Sequence, residues 1–212
     1  MEKLDYKKEY KDLYQPARVP VLIDIPAMNF IMIDGQGAPD GEAYQKAMQA
    51  LYALSFTIKM SKMGGAQPEG YFEYVVPPLE GLWWCHGGRL DINLPRQEWL
   101  WTSMIRQPEF VTNSVFEWAC AECRKKKPEI DISGARFVPF QEGLCVQTMH
   151  IGPYAEERKT LEGMEAFLSS ESLRDCSGKD RKHHEIYLSD PRKTKPERLK
   201  TVLRLPVERI IV

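Results

Sequence analysis

His184-Glu185-Ile186-Tyr187-Leu188-Ser189-Asp190-Pro191-Arg192, followed by Leu199-Lys200-Thr201-Val202-Leu203-Arg204-Leu205-Pro206, reads as two strands, the first with an acid where burial is expected. Alternate side chains of a strand share a face, so Glu185, Tyr187 and Ser189 point one way and Ile186 and Leu188 the other. If Ile186 and Leu188 face helices, the polar trio lines the opposite surface. A carboxylate two residues from a phenol can hold a cationic or polarised ligand, or position a water. A solvent-exposed strand face is the alternative reading.

Working outward, one order of elements occurs twice. In the first half, residues 30–34 predict a strand and 35–39 a turn. Asp40 is a candidate N-cap for a helix to about Lys59, in which Tyr44, Met48, Leu51, Ser55 and Ile58 form one buried stripe. Residues 71–76 alternate as a strand stopped by Pro77-Pro78, and 98–106 form the next, with Trp99 and Trp101 on one face. Pro108 sits in the first turn of a helix through Lys127, whose basic end suits the helix dipole. In the second half the order is strand 144–150, turn Gly152-Pro153, helix 154–169 with Leu161, Met164 and Phe167 inward, and strands 184–188 and 200–205.

Met104-Ile105-Arg106-Gln107-Pro108 also resembles Val202-Leu203-Arg204-Leu205-Pro206. The doubled order and this rhyme predict an internal duplication, with repeats of about 24–108 and 140–212 joined by a helix and linker. The expected fold is α+β: two pseudo-symmetric strand-helix-strand-strand halves, antiparallel sheets with helices on one face, and a ligand cleft on the other. Residues 1–23 are an extension in which Tyr6, Tyr10 and Tyr14, at helical spacing, dock onto the body formed by 24–212.

The chain has 212 residues, 43% apolar and 28% charged, which fits neither a disordered nor a membrane-embedded class. Apolar runs such as 19–25 are too short to span a bilayer, and the charged amino terminus has no signal-peptide core, so the expected location is cytoplasmic. With 29 basic against 30 acidic residues, a net charge of -1 gives no field for phosphate backbones, and nucleic acid is not expected as a direct partner. Five scattered cysteines fit reduced thiols.

Other chemistries lack their context. Cys120 and Cys123 form a single CxxC inside a helical pattern, without a second metal-ligand pair. Gly35-Gln36-Gly37 is followed by Asp40 where the dinucleotide fingerprint needs a third glycine. No serine occupies a G-x-S-x-G elbow. His183 and Glu185 share a strand face, but His184 is turned away and the ligand count is too low for a metal. Neither metal nor cofactor is expected.

Three segments in order, Phe30-Ile31-Met32-Ile33-Asp34-Gly35-Gln36-Gly37, His150-Ile151-Gly152-Pro153-Tyr154, and Glu185-Ile186-Tyr187-Leu188-Ser189-Asp190-Pro191 with 199–206, resemble the GyrI-like small-molecule-binding domain over nearly the whole chain, from about Asp24 to Val212. The resemblance implies two pseudo-symmetric halves with a ligand cleft at their junction, as in drug-sensing regulators. Those regulators carry a helix-turn-helix domain ahead of the binding domain, and about two dozen residues stand in its place here, which argues against transcription regulation. One standalone subfamily with such an extension resembles hydrolases of cyclopropane-bearing DNA-alkylating natural products, for which an aromatic cage is implied.

Candidate walls for a flat ligand are Tyr71, Tyr74, Trp83, Trp84, Trp99 and Trp101, together with Tyr154. Stacking and cation-π contacts are worth about 0.5–2 kcal/mol each. Most of these rings would serve equally in a core. Adjacent Trp83 and Trp84 face opposite ways, so at least one is a cleft or surface residue. Glu185 and Tyr187 are the candidate catalytic pair. Glu185 would position or deprotonate a water that opens the three-membered ring, and Tyr187 or Tyr71 would hydrogen-bond the carbonyl as it becomes phenolate. Two functions remain open: a hydrolase of bulky electrophilic xenobiotics, or a module that sequesters planar aromatic or cationic compounds or shields a target such as gyrase. No membrane partner is expected, and no protein partner is identified.

Overall fold

The computed structural model describes residues 3–210; 1–2 and 211–212, the outermost positions of the expected extension and second repeat, lie outside them. Two short helices, α1 (Tyr6–Glu9) and α2 (Lys11–Tyr14), precede β1 (Val21–Gln36), α3 (Glu42–Lys59), β2 (Leu79–Trp84), β3 (Leu100–Arg106) and α4 (Asn113–Lys126). The order then repeats as β4 (Arg136–Ile151), α5 (Glu157–Ser170), β6 (His183–Tyr187) and β7 (Lys200–Arg209), with a short β5 (Leu173–Asp175) inserted before β6. Neighbouring strands are antiparallel in the order β4-β1-β3-β2-β6-β7, and β7 pairs back to β4. The α+β doubling thus forms one closed six-stranded barrel, to which β5 adds an outer strand on β7.

A pseudo-two-fold axis relates the halves. Along β1 and β4 the pair Val21–Gln147 at one end has its image in Met32–Arg136 at the other; along β2 and β6, Leu79–Tyr187 has its image in Trp83–His183. Gly37 and Gly152 follow β1 and β4 at positive φ, 116° and 145°, so the two glycine turns singled out in the sequence are one turn used twice. The resemblance of 104–108 to 202–206 is two residues out of this register: Arg106 lies opposite Phe30, and the equivalent place opposite Cys145 holds Pro206, not Arg204. The duplication lies in the topology, and that rhyme is not its trace.

Several boundaries differ from expectation for identifiable reasons. β1 and β4 are far longer than 30–34 and 144–150 because each serves two neighbours: β1 pairs with β4 along 21–32 and with β3 along 30–36. Pro26 hides this continuity, since it has no N–H to give a ladder. Residues 71–76 form no strand beyond an isolated Leu4–Tyr74 bridge; Tyr71, Phe72 and Tyr74 cluster instead with Phe110. The strand of the repeat is β2, which Pro77-Pro78 precedes rather than follows. Helix α4 starts at Asn113 with Thr112 as its cap, because Pro108 forms a turn to Val111 and Glu109 is drawn to Tyr6 and Arg106. Helix α3 is capped by Gly41, not Asp40.

Tyr44, Ala47, Leu51, Leu54 and Ile58 of α3 bury against Ile31, Ile33 and Ile105, joined by Ala119, Cys120 and Cys123 of α4. Met164 and Leu168 of α5 bury against Val146, Leu203 and Leu205. Each fully buried Leu, Ile, Val or Met among them stabilises the fold by about 1.5–3 kcal/mol. The reverse face of the barrel strands packs Phe30, Met32, Leu82 and Met104.

The amino-terminal segment lies on the barrel with Tyr6, Leu13 and Tyr14 buried beside Ile25, Cys145 and Val202. Beneath it runs an ionic network. His184 sits 3.0 Å from both Glu80 Oε2 and Glu142 Oε2; Arg204 Nη1 donates to the same Glu142 oxygen at 2.8 Å, and its Nη2 donates to Leu13 O. Tyr14 donates to Glu80 and Gln147 to Asp12 O. Two acids and two cations therefore balance in a buried place, and they bind the segment in position.

Candidate functional site

The alternation along β6 holds, but its polar side is not the one opposite the helices. Ile186 and Leu188 pack with Tyr6, Tyr14, Met149 and Val202 under the amino-terminal segment. Glu185 and Tyr187 consequently face the helix-bearing side, between Tyr44 of α3 and the single 3-10 turn, Tyr154–Glu156, that leads into α5. Ser189 leaves the group and accepts from Lys200 N.

The Tyr187 hydroxyl donates to Glu185 Oε2 at 2.7 Å and accepts from Trp83 Nε1 at 2.9 Å. His183 Nε2 lies 3.1 Å from Glu185 Oε1. The Glu185 side chain is 13% exposed and His183 5%, so each carboxylate oxygen is held by one neighbour while an edge of the group still reaches solvent. Burial, and then the charge of Glu185, push the Tyr187 phenol well above its ordinary value, which keeps it a hydrogen-bond donor.

A second carboxyl completes the group. Burial first, and the negative charge of Glu185 second, raise Glu157 far above the usual carboxylate range. A carboxyl raised in this way favours its protonated form. Glu157 Oε1 is buried without a hydrogen-bond partner. Tyr154, 39% exposed, forms the lip, edge-on to Tyr187 with 6.1 Å between centroids. Burial, Glu157 and Glu185 push its phenol up to about 12.

Two glycines permit this closeness. A Cβ on Gly81, the residue directly opposite Glu185, would stand 2.8 Å from Trp83 Nε1 and 3.3 Å from the Tyr187 hydroxyl. One on Gly35 would stand 2.3 Å from the Trp101 ring.

The expected site residues separate into two groups. Trp83, Trp99, Trp101, Tyr154, Glu185 and Tyr187 come together: Trp99 stands edge-on to Trp83 at 5.9 Å, and Tyr44 bridges Trp83 at 5.4 Å and Trp101 at 5.0 Å. Trp101 is 1% exposed and backs the site without lining it. Trp84 faces the other side of the sheet, packed with Leu82 and Met104 beneath the Lys182 ammonium. Tyr71 and Tyr74 are placed away from Glu185, by the amino-terminal segment, where the Tyr71 hydroxyl donates to Lys59 O. Tyr44, Glu157 and the positioning contact of His183 were not anticipated. The signal for Glu157 was its spacing of three from Tyr154 at the start of a helix, which puts both on one face.

Two cavities, of about 720 and 510 Å³, flank α1, and neither is lined by Glu185, Tyr187 or Trp83. The Glu185 group is instead closely packed, with Tyr154 at its edge. Among the described residues, no group of three metal-ligating side chains is gathered, and no helix is long and apolar enough to cross a membrane.

A family model described as the GyrI-like small molecule binding domain matches residues 19–208. A conserved protein from Listeria innocua has a crystal structure that superimposes with a TM-score of 0.93 at 57% identity, covering 97% of this chain and 100% of the other. Two further Listeria innocua crystal structures, each described as a hydrolase, are similar at 55% and 56% identity with TM-scores of 0.90 and 0.91, covering 97% and 98% of this chain and 100% of theirs. No curated protein matches the chain.

Proposed function

The chain belongs to the GyrI-like small-molecule-binding domain family, and from that premise we propose that it binds bulky, flat xenobiotics beside Glu185 and hydrolyses cyclopropane-bearing, DNA-alkylating compounds among them. The carrying observation is Glu185, held by Tyr187 and His183, with Glu157 raised by burial and by the charge of Glu185, Trp83 packed behind the Tyr187 hydroxyl, and the more exposed rings of Trp99 and Tyr154 beside them. The description of two relatives at 55% and 56% identity as hydrolases supports a water-adding reaction.

Glu185 accepts a proton from a water as its oxygen bonds to the unsubstituted cyclopropane carbon. The strained C–C bond breaks, and its electron pair passes into the conjugated carbonyl, which becomes a phenolate. Glu157 supplies the proton that leaves a phenol, and the proton held by Glu185 returns to Glu157 through solvent. The net change is addition of one water. Tyr187 keeps the Glu185 carboxylate oriented, and the rings hold the planar ligand, each contact contributing about 0.5–1.5 kcal/mol.

The test is chromatography with mass detection of such an alkylator incubated with substoichiometric protein, wild type beside Glu185→Gln. Water-added product in excess of protein, lost in the variant, is expected. Product no greater than the protein present would leave a sequestering module and remove the hydrolase.

A further inference from the structure

We propose a second ligand site, for an amphipathic organic anion, in the 510 Å³ cavity between the amino-terminal segment and the barrel. Its floor is Met149 and Ile151 of β4 with Leu188 just beyond β6, and its rim carries Lys7, Lys8, Arg18 and Lys200. Among the described residues none of these four cations takes part in an ion pair. One acid, Asp5, lines the same space, and its carboxylate is engaged in capping α1 through Lys7 N at 3.1 Å. In a chain with a net charge of -1 this is a local excess of positive charge over an apolar surface. The volume lies within the range of roughly 300–1,000 Å³ usual for small-molecule sites.

The segment is tied to the barrel here by Met149 N, which donates to Ala17 O at 2.9 Å; within the barrel Leu188 N donates to Lys200 O at 3.0 Å, and within the segment Gln15 Nε2 donates to Lys7 O at 2.7 Å. Lys7, Lys8 and Arg18 come from the amino-terminal segment and Lys200 from the barrel, around a floor that the barrel provides. A neutral apolar ligand would leave the four cations repelling one another. A cationic one would add to the repulsion. A carboxylate or sulfate on a hydrocarbon or aromatic body satisfies both parts, and it draws the segment against the barrel. The site is separate from the Glu185 group, which lies across the sheet: Tyr187 and Leu188 are adjacent and face opposite ways.

The probe is decanoate, measured by isothermal titration calorimetry on the full chain at physiological salt, beside decanol and decyltrimethylammonium of equal length. Decanoate is expected to bind once per chain. Its affinity should fall tenfold or more in Arg18→Glu/Lys200→Glu, and stay unchanged in Glu185→Gln. Both rim residues are exposed, and should that variant not fold, Lys7→Glu/Lys8→Glu makes the same test. No saturable binding, equal binding of decanol, or decanoate affinity that is indifferent to the rim variants would each overturn the assignment. Loss of decanoate binding in Glu185→Gln would place the ligand in the other site and overturn it too.

Discussion

Replacing His184 by glutamine should remove the alkaline limb of the protein's stability. The imidazole is 1% exposed between two carboxylate oxygens at 3.0 Å. Burial by itself lowers its pKa; Glu142 and Glu80 outweigh that and raise it to about 9. A group whose folded value lies above its unfolded one, about 6.5, stabilises fully below the unfolded value and loses that contribution as pH rises through the folded one. At about 1.4 kcal/mol per unit, the contribution is on the order of 3 kcal/mol, present below about pH 6.5 and gone above about 9. Glutamine leaves Glu80 and Glu142 with one cation fewer, and breaking such a buried pair costs about 3–5 kcal/mol. For a chain of this length that corresponds to roughly 10 °C in Tm. Scanning calorimetry from pH 6 to 10 should show wild type descending toward the variant's lower curve. Lysine and tyrosine titrations common to both cancel in the difference between the profiles. Two parallel profiles would refute the reasoning. Glu142, held down to about 2 mainly against its own burial by His184 and Arg204, gives the complementary acid limb: its contribution is present above about pH 4.5 and disappears as pH falls through about 2. It is the same contact seen from the other partner, so the two amounts do not add.

Tyr187→Phe removes the donor to Glu185 and the acceptor of Trp83 Nε1. A hydrogen bond to a charged group is worth about 1.5–3 kcal/mol, so kcat/KM for the cyclopropane substrate should fall by roughly tenfold to a hundredfold; unchanged kinetics would remove Tyr187 from the site. Gly35→Ala should lower stability by about 1–3 kcal/mol, since its Cβ would collide with the Trp101 ring at 2.3 Å; an unaltered thermal melt would show that the ring gives way freely.

The doubled element order was legible because helix and strand periods differ and because proline and glycine punctuate both halves. Barrel closure was not. It depends on the ends of β1 and β4, where Pro26 interrupts the pattern that would have joined 21–25 to 30–34. The site was half legible. The alternation of Glu185 and Tyr187 placed them on one face, but which face met the helices depended on Tyr6 and Tyr14 covering Ile186 and Leu188, a contact across most of the chain length. Aromatic density misled at Tyr71 and Tyr74, because a cluster that anchors the amino-terminal segment has the same composition as a ligand wall. Glu157 looked like any acid in a first helical turn; its spacing from Tyr154 was the one local trace, and the charge of Glu185 that raises it sits on β6, far along the chain.

The pseudo-two-fold axis explains why only one of the two related strand positions beside it carries an acid. Gly81 and Glu185 are images of each other and are also direct cross-strand partners, so the axis runs between them. Side chains so paired stand roughly 5 Å apart at Cβ, and like charges there are destabilising. A symmetric ancestor with glutamate in both places would have set two carboxylates face to face, and one with glycine in both would have had none. Only divergence gives one carboxylate with room beside it. The vacated glycine position is filled by Trp83 Nε1 and the Tyr187 hydroxyl, themselves symmetry-related residues that now donate and accept across the axis. The hydrogen bond that orients Glu185 therefore exists because its image is glycine, and a side chain at 81 would disturb the acid through Tyr187 without touching it.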